Sequence, residues 1–314
     1  MNDVSAETTS PGVSPDIAPA PAQATSSHAA PHAPTPPVAP LIIEPASGWQ
    51  LINARELWRY RELLYFLTWR DVKVRYKQTL LGAAWAILQP VMMMIVFTIF
   101  FGRMAKVPAG DVPYPIFVFT GLLPWTFFAT AIASAGNSVV GSERLITKIY
   151  FPRLAVPFAA VGAAMVDFAI AFSVLLVLMA WYHIMPTMSI LLVPVLIVVL
   201  ALAALGVGTL LAALNVAYRD FKYVLPFMIQ IWMFATPTVY MQLTRETGGA
   251  SFGWGRWLLI ANPLTGLIAT FRAAVLGNPM PSRLLVTDVL IVIAIFAIGC
   301  LYFRKVEDSF ADVI

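Results

Sequence analysis

Long apolar stretches recur along the chain, and charged residues are concentrated between them. About 18 or more consecutive apolar residues predict a membrane-spanning helix, because lipid offers no hydrogen-bond partners to an exposed backbone. The six predicted spans lie near residues 83–102, 115–139, 156–182, 190–214, 223–242 and 284–303. The sequence therefore predicts an all-α membrane protein with six transmembrane helices.

A further apolar segment, residues 257–277, differs from these spans. Asn262-Pro263 interrupts it, and Arg272 lies within it. Each half is too short to cross a bilayer. We therefore predict re-entrant helices on the outer side, between the fifth and sixth spans.

Lys and Arg residues are divided unequally between the two sides that six spans define. Fourteen lie before the first span, in the loops after the second and fourth spans, and after the sixth span. Six lie on the other side. Since cytoplasmic loops carry the excess of Lys and Arg, both termini are predicted to be cytoplasmic.

The residues that precede the first span divide into two parts, before a six-span domain at 82–314. Residues 1–48 are rich in Pro, Ala and Ser and contain no Lys or Arg, which predicts a disordered cytoplasmic tail. Residues 49–81 predict an amphipathic helix in the membrane interface, with its cations toward lipid head groups. The cations nearest the first span are Arg70, Lys73, Arg75 and Lys77. This helix is either a plain membrane anchor or a platform shared with a cytoplasmic partner.

Two predicted cytoplasmic loops combine cations with aromatic residues. The first contains "LITKIYFPRLAVP" at 145–157, in which Pro152 is expected to end a short helix because proline lacks an amide proton. The second contains "NVAYRDFKYVLP" at 215–226. A plain connector needs only a few polar residues, so these loops are either idle turns or surfaces that another protein grips.

Composition excludes several classes of protein. The chain is 60% hydrophobic and 11% charged, which is far from the balance of a soluble domain. Its one cysteine, Cys300, excludes an internal disulfide framework. The sequence contains no phosphate-binding G-x-x-x-x-G-K-[ST] motif, no Ser/His/Asp set and no cluster of metal ligands. The chain is therefore not expected to be an enzyme or to hold a metal or cofactor, and no nucleic-acid partner is expected.

Five segments together resemble a known family, the permease subunits of type-two ABC exporters for cell-surface polysaccharide. These proteins translocate O-antigen, capsule or teichoic acid. The resemblance covers about residues 50–314 in the same order. The matching segments are "RDVKVRYKQTLLGAAWAILQP", "LITKIYFPRLAVP", "NVAYRDFKYVLPF", "NPLTGLIATFRAAVLG" and "VEDSFADVI".

The resemblance implies a homodimeric six-span permease in the bacterial cytoplasmic membrane, surrounded by membrane lipids. Two copies of a separate ATPase would bind ATP and Mg and drive export of a lipid-linked polysaccharide. In this family the loop between the second and third spans docks into the ATPase. The residues that would couple this chain to the ATPase are Leu145, Lys148, Tyr150, Phe151 and Arg153, with Arg219 and Asp220 in the second loop.

Aromatic residues in the first and fifth spans are candidates for the glycan path, because sugar rings stack on aromatic faces. They are Phe97, Phe100, Phe101, Phe227, Trp232, Phe234 and Tyr240. Equally, these rings could pack in the core or form interfacial belts. Arg256 and Arg272 could pair with the diphosphate of a lipid-linked polymer or anchor the fold at the head groups.

Asp167 lies well inside the third predicted span, where a carboxylate costs roughly 2.5–3.5 kcal/mol on insertion scales. It is either part of a proton relay or hydrogen-bonded to a neighbouring helix, and the scarcity of other buried acids favours the second. The alternatives to polysaccharide export are an ABC exporter of small hydrophobic molecules, a proton-driven secondary transporter and a membrane enzyme that acts on lipid-linked sugars.

Overall fold

The computed structural model describes residues 54–77, 82, 84–107, 112–218, 220–236, 238, 261–307 and 310. Within these ranges the chain forms helices joined by turns, and no strand occurs. The predicted disordered tail at 1–48 and three predicted site residues, Arg219, Tyr240 and Arg256, lie outside the described residues.

The helices follow one another in a simple order. They are α1 Ala54–Arg59, α2 Arg61–Lys77, α3 Ala84–Phe97 with a π-helical continuation Thr98–Met104, α4 Tyr114–Gly141, α5 Glu143–Ile146, α6 Ala155–Trp181, a 3-10 turn Met188–Leu192 leading into α7 Val193–Ala217, α8 Phe221–Ala235, α9 Pro263–Leu276 and α10 Ser282–Glu307.

Five helical segments in the described residues are long and apolar enough to cross a membrane. They are Ala84–Met104, Tyr114–Gly141, Ala155–Trp181, Met188–Ala217 and Leu284–Glu307. They confirm the first, second, third, fourth and sixth predicted spans to within a few residues. The fifth predicted span corresponds to α8, which has 15 residues. Most of the rest of this span lies outside the described residues, so the fifth span, and with it a total of six, stays a prediction.

Helix α9 is short because both of its ends are fixed by local chemistry. The side chain of Asn262 accepts a hydrogen bond from the backbone N–H of Leu264, and Pro263 occupies the first turn. Gly277 ends the helix with φ +73°, a left-handed conformation that glycine adopts at little cost. The helix has 14 residues, as expected of a segment too short to cross the bilayer.

Helix α4 is the centre of the bundle. It is buried along most of its length and packs against α3, α6, α7 and α9. Small residues allow this close approach: a Cβ atom added at Gly208 of α7 would lie 2.6 Å from the Cβ of Ala135 in α4. Ala204 and Ala212, four positions away on either side, are fully buried. A ridge of small residues thus brings the two helices into contact.

A second group of buried residues lies at the end of the bundle that carries α2 and α5, and we call it the loop cluster. It joins α2 to the adjoining ends of α4, α6, α7 and α10. Its larger members are Leu67, Val139, Ile146, Phe151, Leu154, Val156, Val216, Phe303 and Phe310. Helix α2, the loop that contains Phe151, and α10 with the following Phe310 therefore share one hydrophobic contact region.

Helices α7 and α10 approach so closely that Gly299→Ala is expected to destabilise the fold. The added Cβ would lie 2.1 Å from the backbone oxygen of Gly206, and a backbone cannot move aside as a flexible side chain does. Such overpacking costs about 1–3 kcal/mol. The thermal unfolding midpoint of the detergent-solubilised protein should fall accordingly.

Gly141→Ala is the matched control, because nothing lies within 4 Å of a Cβ added at this end of α4. Its unfolding midpoint should equal or exceed that of the unmodified protein, since alanine is the better helix former. Equal midpoints for the two variants would contradict the close contact of α7 and α10.

Candidate functional site

A cavity of 440 Å³ lies where the end of α2 meets α3, α4 and α6. Its lining combines polar and aromatic side chains in a region where the surrounding helices are otherwise apolar. The polar ones are Arg75, Tyr76, Gln89, Thr126, Thr130, Ser134 and Asp167, and the aromatic ones are Trp85, Phe127 and Phe168. Polar groups inside a span are expensive unless they are paired or serve a purpose, so this cavity is the leading candidate for a functional site.

The carboxylate of Asp167 is held by two residues from the last turn of α2. The Arg75 guanidinium donates to one carboxylate oxygen and forms an ion pair with it, and the Tyr76 hydroxyl donates to the other. A second nitrogen of Arg75 donates to the hydroxyl of Ser134 in α4 at 3.3 Å. Asp167 is therefore hydrogen-bonded to a neighbouring helix, as expected, and its partners belong to α2.

Burial raises the pKa of Tyr76 above its ordinary value, and the Arg75 cation opposes this shift in part. A tyrosine in this environment keeps its proton at physiological pH, so it acts as a hydrogen-bond donor to Asp167. The Arg75 guanidinium and the Tyr76 hydroxyl together supply hydrogen bonds to the Asp167 carboxylate, whose burial in α6 would otherwise be costly.

The cations of α2 differ in what they face. Lys73 and Lys77 are exposed, whereas Arg70 is paired with its sequence neighbour Asp71 at 2.9 Å. Arg75 departs from the expectation that it would face lipid head groups, because its guanidinium points into the bundle toward Asp167.

The apolar face of α2 packs against the rest of the protein. Leu67 is buried, and Leu63 and Leu64 pack beside it in the loop cluster, so this face covers protein. The opposite side exposes aromatic rings, among them Tyr65, Phe66 and Trp69. Contact between α2 and α6, rather than lipid, holds the apolar face of this helix.

The loop between α4 and α6 exposes some of the predicted coupling residues and buries others. Lys148 is exposed, the Tyr150 ring is 80% exposed and Leu145 is half-buried. Phe151 is buried in the loop cluster. The Arg153 guanidinium donates to the backbone oxygen of Glu307, and the backbone N–H of Arg153 donates to the Glu307 carboxylate at 3.2 Å. The loop is thus a short exposed tip on an anchored base.

Helix α5 is shorter than the sequence indicated. It ends at Ile146, six residues before Pro152, and the chain continues as turns. The side chain of Thr147 donates back to the carbonyl of Glu143 at 3.0 Å, which supplies that carbonyl with a partner at the helix end.

The loop between α7 and α8 is also aromatic, and its described residues are largely exposed. Asp220 is exposed, as are the rings of Tyr218 and Tyr223. The rings of Tyr218 and Phe221 lie 6.3 Å apart. The part of the predicted surface that the structure describes therefore carries aromatic rings beside a carboxylate.

The candidate path residues fall into two groups. Phe97 and Phe101 lie 5.7 Å apart and pack against α4, and the ring of Trp232 meets Phe128 edge to face at 5.2 Å. Exposed rings form the other group, and they are Phe100, Phe227 and Phe234. Phe100 therefore does not share the environment of Phe97 and Phe101.

The guanidinium of Arg272 takes part in the packing of α9. It lies 4.0 Å from the ring centroid of Phe117 in α4, and one of its nitrogens donates to the backbone oxygen of Thr238 at 2.7 Å. These contacts engage the guanidinium within the bundle, and its contact with a head group or a phosphate stays a prediction.

Sequence reasoning missed a hydrogen-bond network between α8 and α9. The indole N–H of Trp232 donates to the side-chain oxygen of Asn262 at 3.1 Å, and the Asn262 amide donates to the hydroxyl of Thr236 at 2.8 Å. The Asn-Pro pair signalled a helix start, but its partners lie about thirty positions earlier.

Comparisons with known proteins agree with this architecture. The sequence profile described as ABC-2 type transporter matches residues 62–276. The chain belongs to the ABC-2 transporter family. This ABC-2 transporter is a multi-pass protein of the bacterial inner membrane, and the resemblance inferred from its five segments is confirmed.

Three relatives of this ABC-2 transporter have names that state their roles. The O-antigen export system permease protein RfbA of Myxococcus xanthus is 30% identical over 264 residues, which cover 83% of this chain and 98% of that protein. A protein of the same name from Klebsiella pneumoniae is 26% identical, with coverage of 81% and 95%. The polysialic acid transport protein KpsM of Escherichia coli is 23% identical, with coverage of 66% and 78%.

Removing the Asp167 carboxylate is expected to loosen α2 from α6. Asp167→Leu leaves the half-buried Arg75 charge without its partner, and the expected loss is about 1–3 kcal/mol, between that of an exposed pair and that of a fully buried one. Asp167→Asn keeps an acceptor oxygen and should lose less.

The double exchange Arg75→Asp with Asp167→Arg is the matching control, because it reverses the pair without removing it. Unfolding midpoints of Arg75→Asp, of Asp167→Arg and of the double variant form a cycle that isolates the interaction between the two residues. Losses that simply add in the double variant would refute the ion pair.

Proposed function

We propose that this chain is the permease subunit of an ATP-driven exporter that moves a lipid-linked surface polysaccharide across the cytoplasmic membrane. The observation that carries this proposal is the alignment with the Myxococcus xanthus permease, which spans 98% of that protein at 30% identity. The Klebsiella pneumoniae and Escherichia coli relatives, named for O-antigen export and polysialic acid transport, support the same class of substrate.

The energy for transport would come from a separate ATPase. The sequence has no phosphate-binding loop, so ATP and Mg would be bound by two copies of an ABC ATPase beneath a permease dimer. This arrangement requires both termini and both aromatic loops to face the cytoplasm, in agreement with the excess of Lys and Arg on that side. The short helix α9 would then be re-entrant on the outer side.

The exposed tip of the first inner loop is suited to receive the ATPase. Lys148, Ile149 and Tyr150 are exposed, while the adjoining Phe151 and Arg153 are fixed to the loop cluster and to Glu307. A push on the tip would therefore be transmitted to α6 and α10 rather than absorbed in the loop. Asp220, Tyr218 and Tyr223 would extend the same surface.

The exposed rings of the first and fifth spans are suited to a glycan path between two copies of the chain. Phe100, Phe227 and Phe234 present faces that no core covers fully. A sliding polymer needs many weak contacts of this kind. Phe97, Phe101 and Trp232 would support the wall from behind.

Loss of the gene tests the transport function directly. Cells that lack it should lose surface polysaccharide and accumulate the same glycan in the cytoplasm, and a plasmid copy should reverse both effects. Surface labelling and extraction of the cytoplasmic glycan measure the two pools. Normal surface polysaccharide in the deletion strain would overturn the proposal.

The double substitution Lys148→Ala with Tyr150→Ala is expected to reduce coupling to the ATPase. These side chains are exposed and outside the core, so folding should be preserved, while a tyrosine at an interface centre commonly contributes about 2 kcal/mol or more. Export should fall at least about tenfold, with less ATPase recovered in copurification.

Met185→Ala is the control, because Met185 is 83% exposed at the other end of α6. It should leave export and copurification unchanged. If the double variant retains both as well, the tip is not the docking site.

A further inference from the structure

We propose that the cavity beside α2 is a binding subsite for one or two sugar rings of the exported glycan. This inference rests on the proposed polysaccharide export. The cavity lies within one copy of the chain and would contact the substrate directly. It is separate from the exposed rings that would line a path between two copies.

The cavity has the size and the aperture that such a ligand needs. Its 440 Å³ lies within the range of about 300–1,000 Å³ that is typical of small-ligand pockets. The last turn of α2, the first half of α3 and the middle of α4 and α6 form its walls. Trp85 on α3 is about half exposed at its edge, which leaves an aromatic face open to a stacking ring.

Two polar side chains in the wall have capacity for a ligand. Gln89 is exposed and Thr130 is half-buried, and neither forms a hydrogen bond with another residue in the described parts of the chain, whereas Ser134 accepts one from Arg75. A carboxamide and a hydroxyl each both donate and accept hydrogen bonds. This is the capacity that sugar hydroxyl groups require, because each hydroxyl can also do both.

The charges of the cavity favour an uncharged ring over a phosphate. Arg75 and Asp167 neutralise each other, and the Asp167 carboxylate would lie beside any anion that approached Arg75. Like charges at such a distance repel, most strongly where water is scarce. The ion pair nevertheless offers remaining N–H donors and lone pairs to neutral hydroxyl groups.

The walls are rigid enough to recognise a ring. Phe127 and Phe168 meet edge to face at 5.4 Å, and both are buried. Arg75 and Tyr76 fix the end of α2 to α6 through Asp167. A preformed pocket loses little conformational entropy when a ligand binds, which compensates for the modest strength of contacts to sugars.

The test measures binding of defined fragments to the purified permease with its copurified ATPase in nanodiscs. The probe is a mixture of fragments of two to four sugars, prepared by hydrolysis of the surface polysaccharide of the source bacterium. Saturation-transfer NMR reports binding. Gln89→Met with Thr130→Val keeps the side-chain volumes but removes both free hydrogen-bonding groups, so binding should weaken at least about fivefold.

Two further variants and one competitor make the result specific. Ala86→Phe fills the cavity without changing its polar groups and should abolish fragment binding. Ser173→Ala removes an exposed hydroxyl of α6 outside the cavity and should change nothing. Inorganic diphosphate should fail to displace the fragments, because the cavity is neutral.

The outcomes separate this inference from the proposed function. If the deletion strain loses its surface polysaccharide but the fragments bind equally well to the wild type and to Ala86→Phe, or to neither, the subsite is refuted and the export function stands. Displacement by diphosphate would show a phosphate site and would also refute it. A deletion strain with normal surface polysaccharide would refute the export function itself.

Discussion

Hydrocarbon cannot solvate a polar group, and this constraint organises the structure. Polar side chains with partners on another element act as tethers between helices. Among them, Asp167 with Arg75 joins α6 to α2, Asn262 with Trp232 joins α9 to α8, and the Asn215 amide joins α7 to a backbone oxygen of α4. Packing also holds the helices together, and in lipid it depends on small residues that let backbones approach. Gly208 against Ala135 and Gly299 against Gly206 are such contacts.

The loop cluster turns several separate elements into one mechanical unit. Phe151 from the first inner loop, Leu67 from α2 and Phe303 from α10 share a single buried core. The bond from Arg153 to Glu307 adds a polar connection between the loop and the end of α10. Because interiors are close-packed and poorly compressible, a displacement of the loop by a partner would move α2 and α10 with it.

The polar cavity and the exposed rings occupy different environments, which gives them different roles in the proposed transport. Phe227 and Phe234 stand on one face of α8 as open aromatic surface. The cavity instead presents a half-buried ion pair and free hydrogen-bonding groups beside the end of α2. Aromatic surface permits sliding, whereas hydrogen bonds fix a ring in place, so the first suits passage of a polymer and the second suits its recognition.

Hydropathy and helix-end chemistry are local, so the sequence by itself determined five of the spans, the short helix between Asn262 and Gly277 and the family. Those signals lie within about twenty neighbouring residues. Only the tertiary structure decided that Arg75 faces Asp167, that Arg272 lies over Phe117 and that Phe151 is buried. The partners in the first of these contacts are 92 positions apart, and their meeting depends on how whole helices pack, a property that no local pattern of polar and apolar residues encodes.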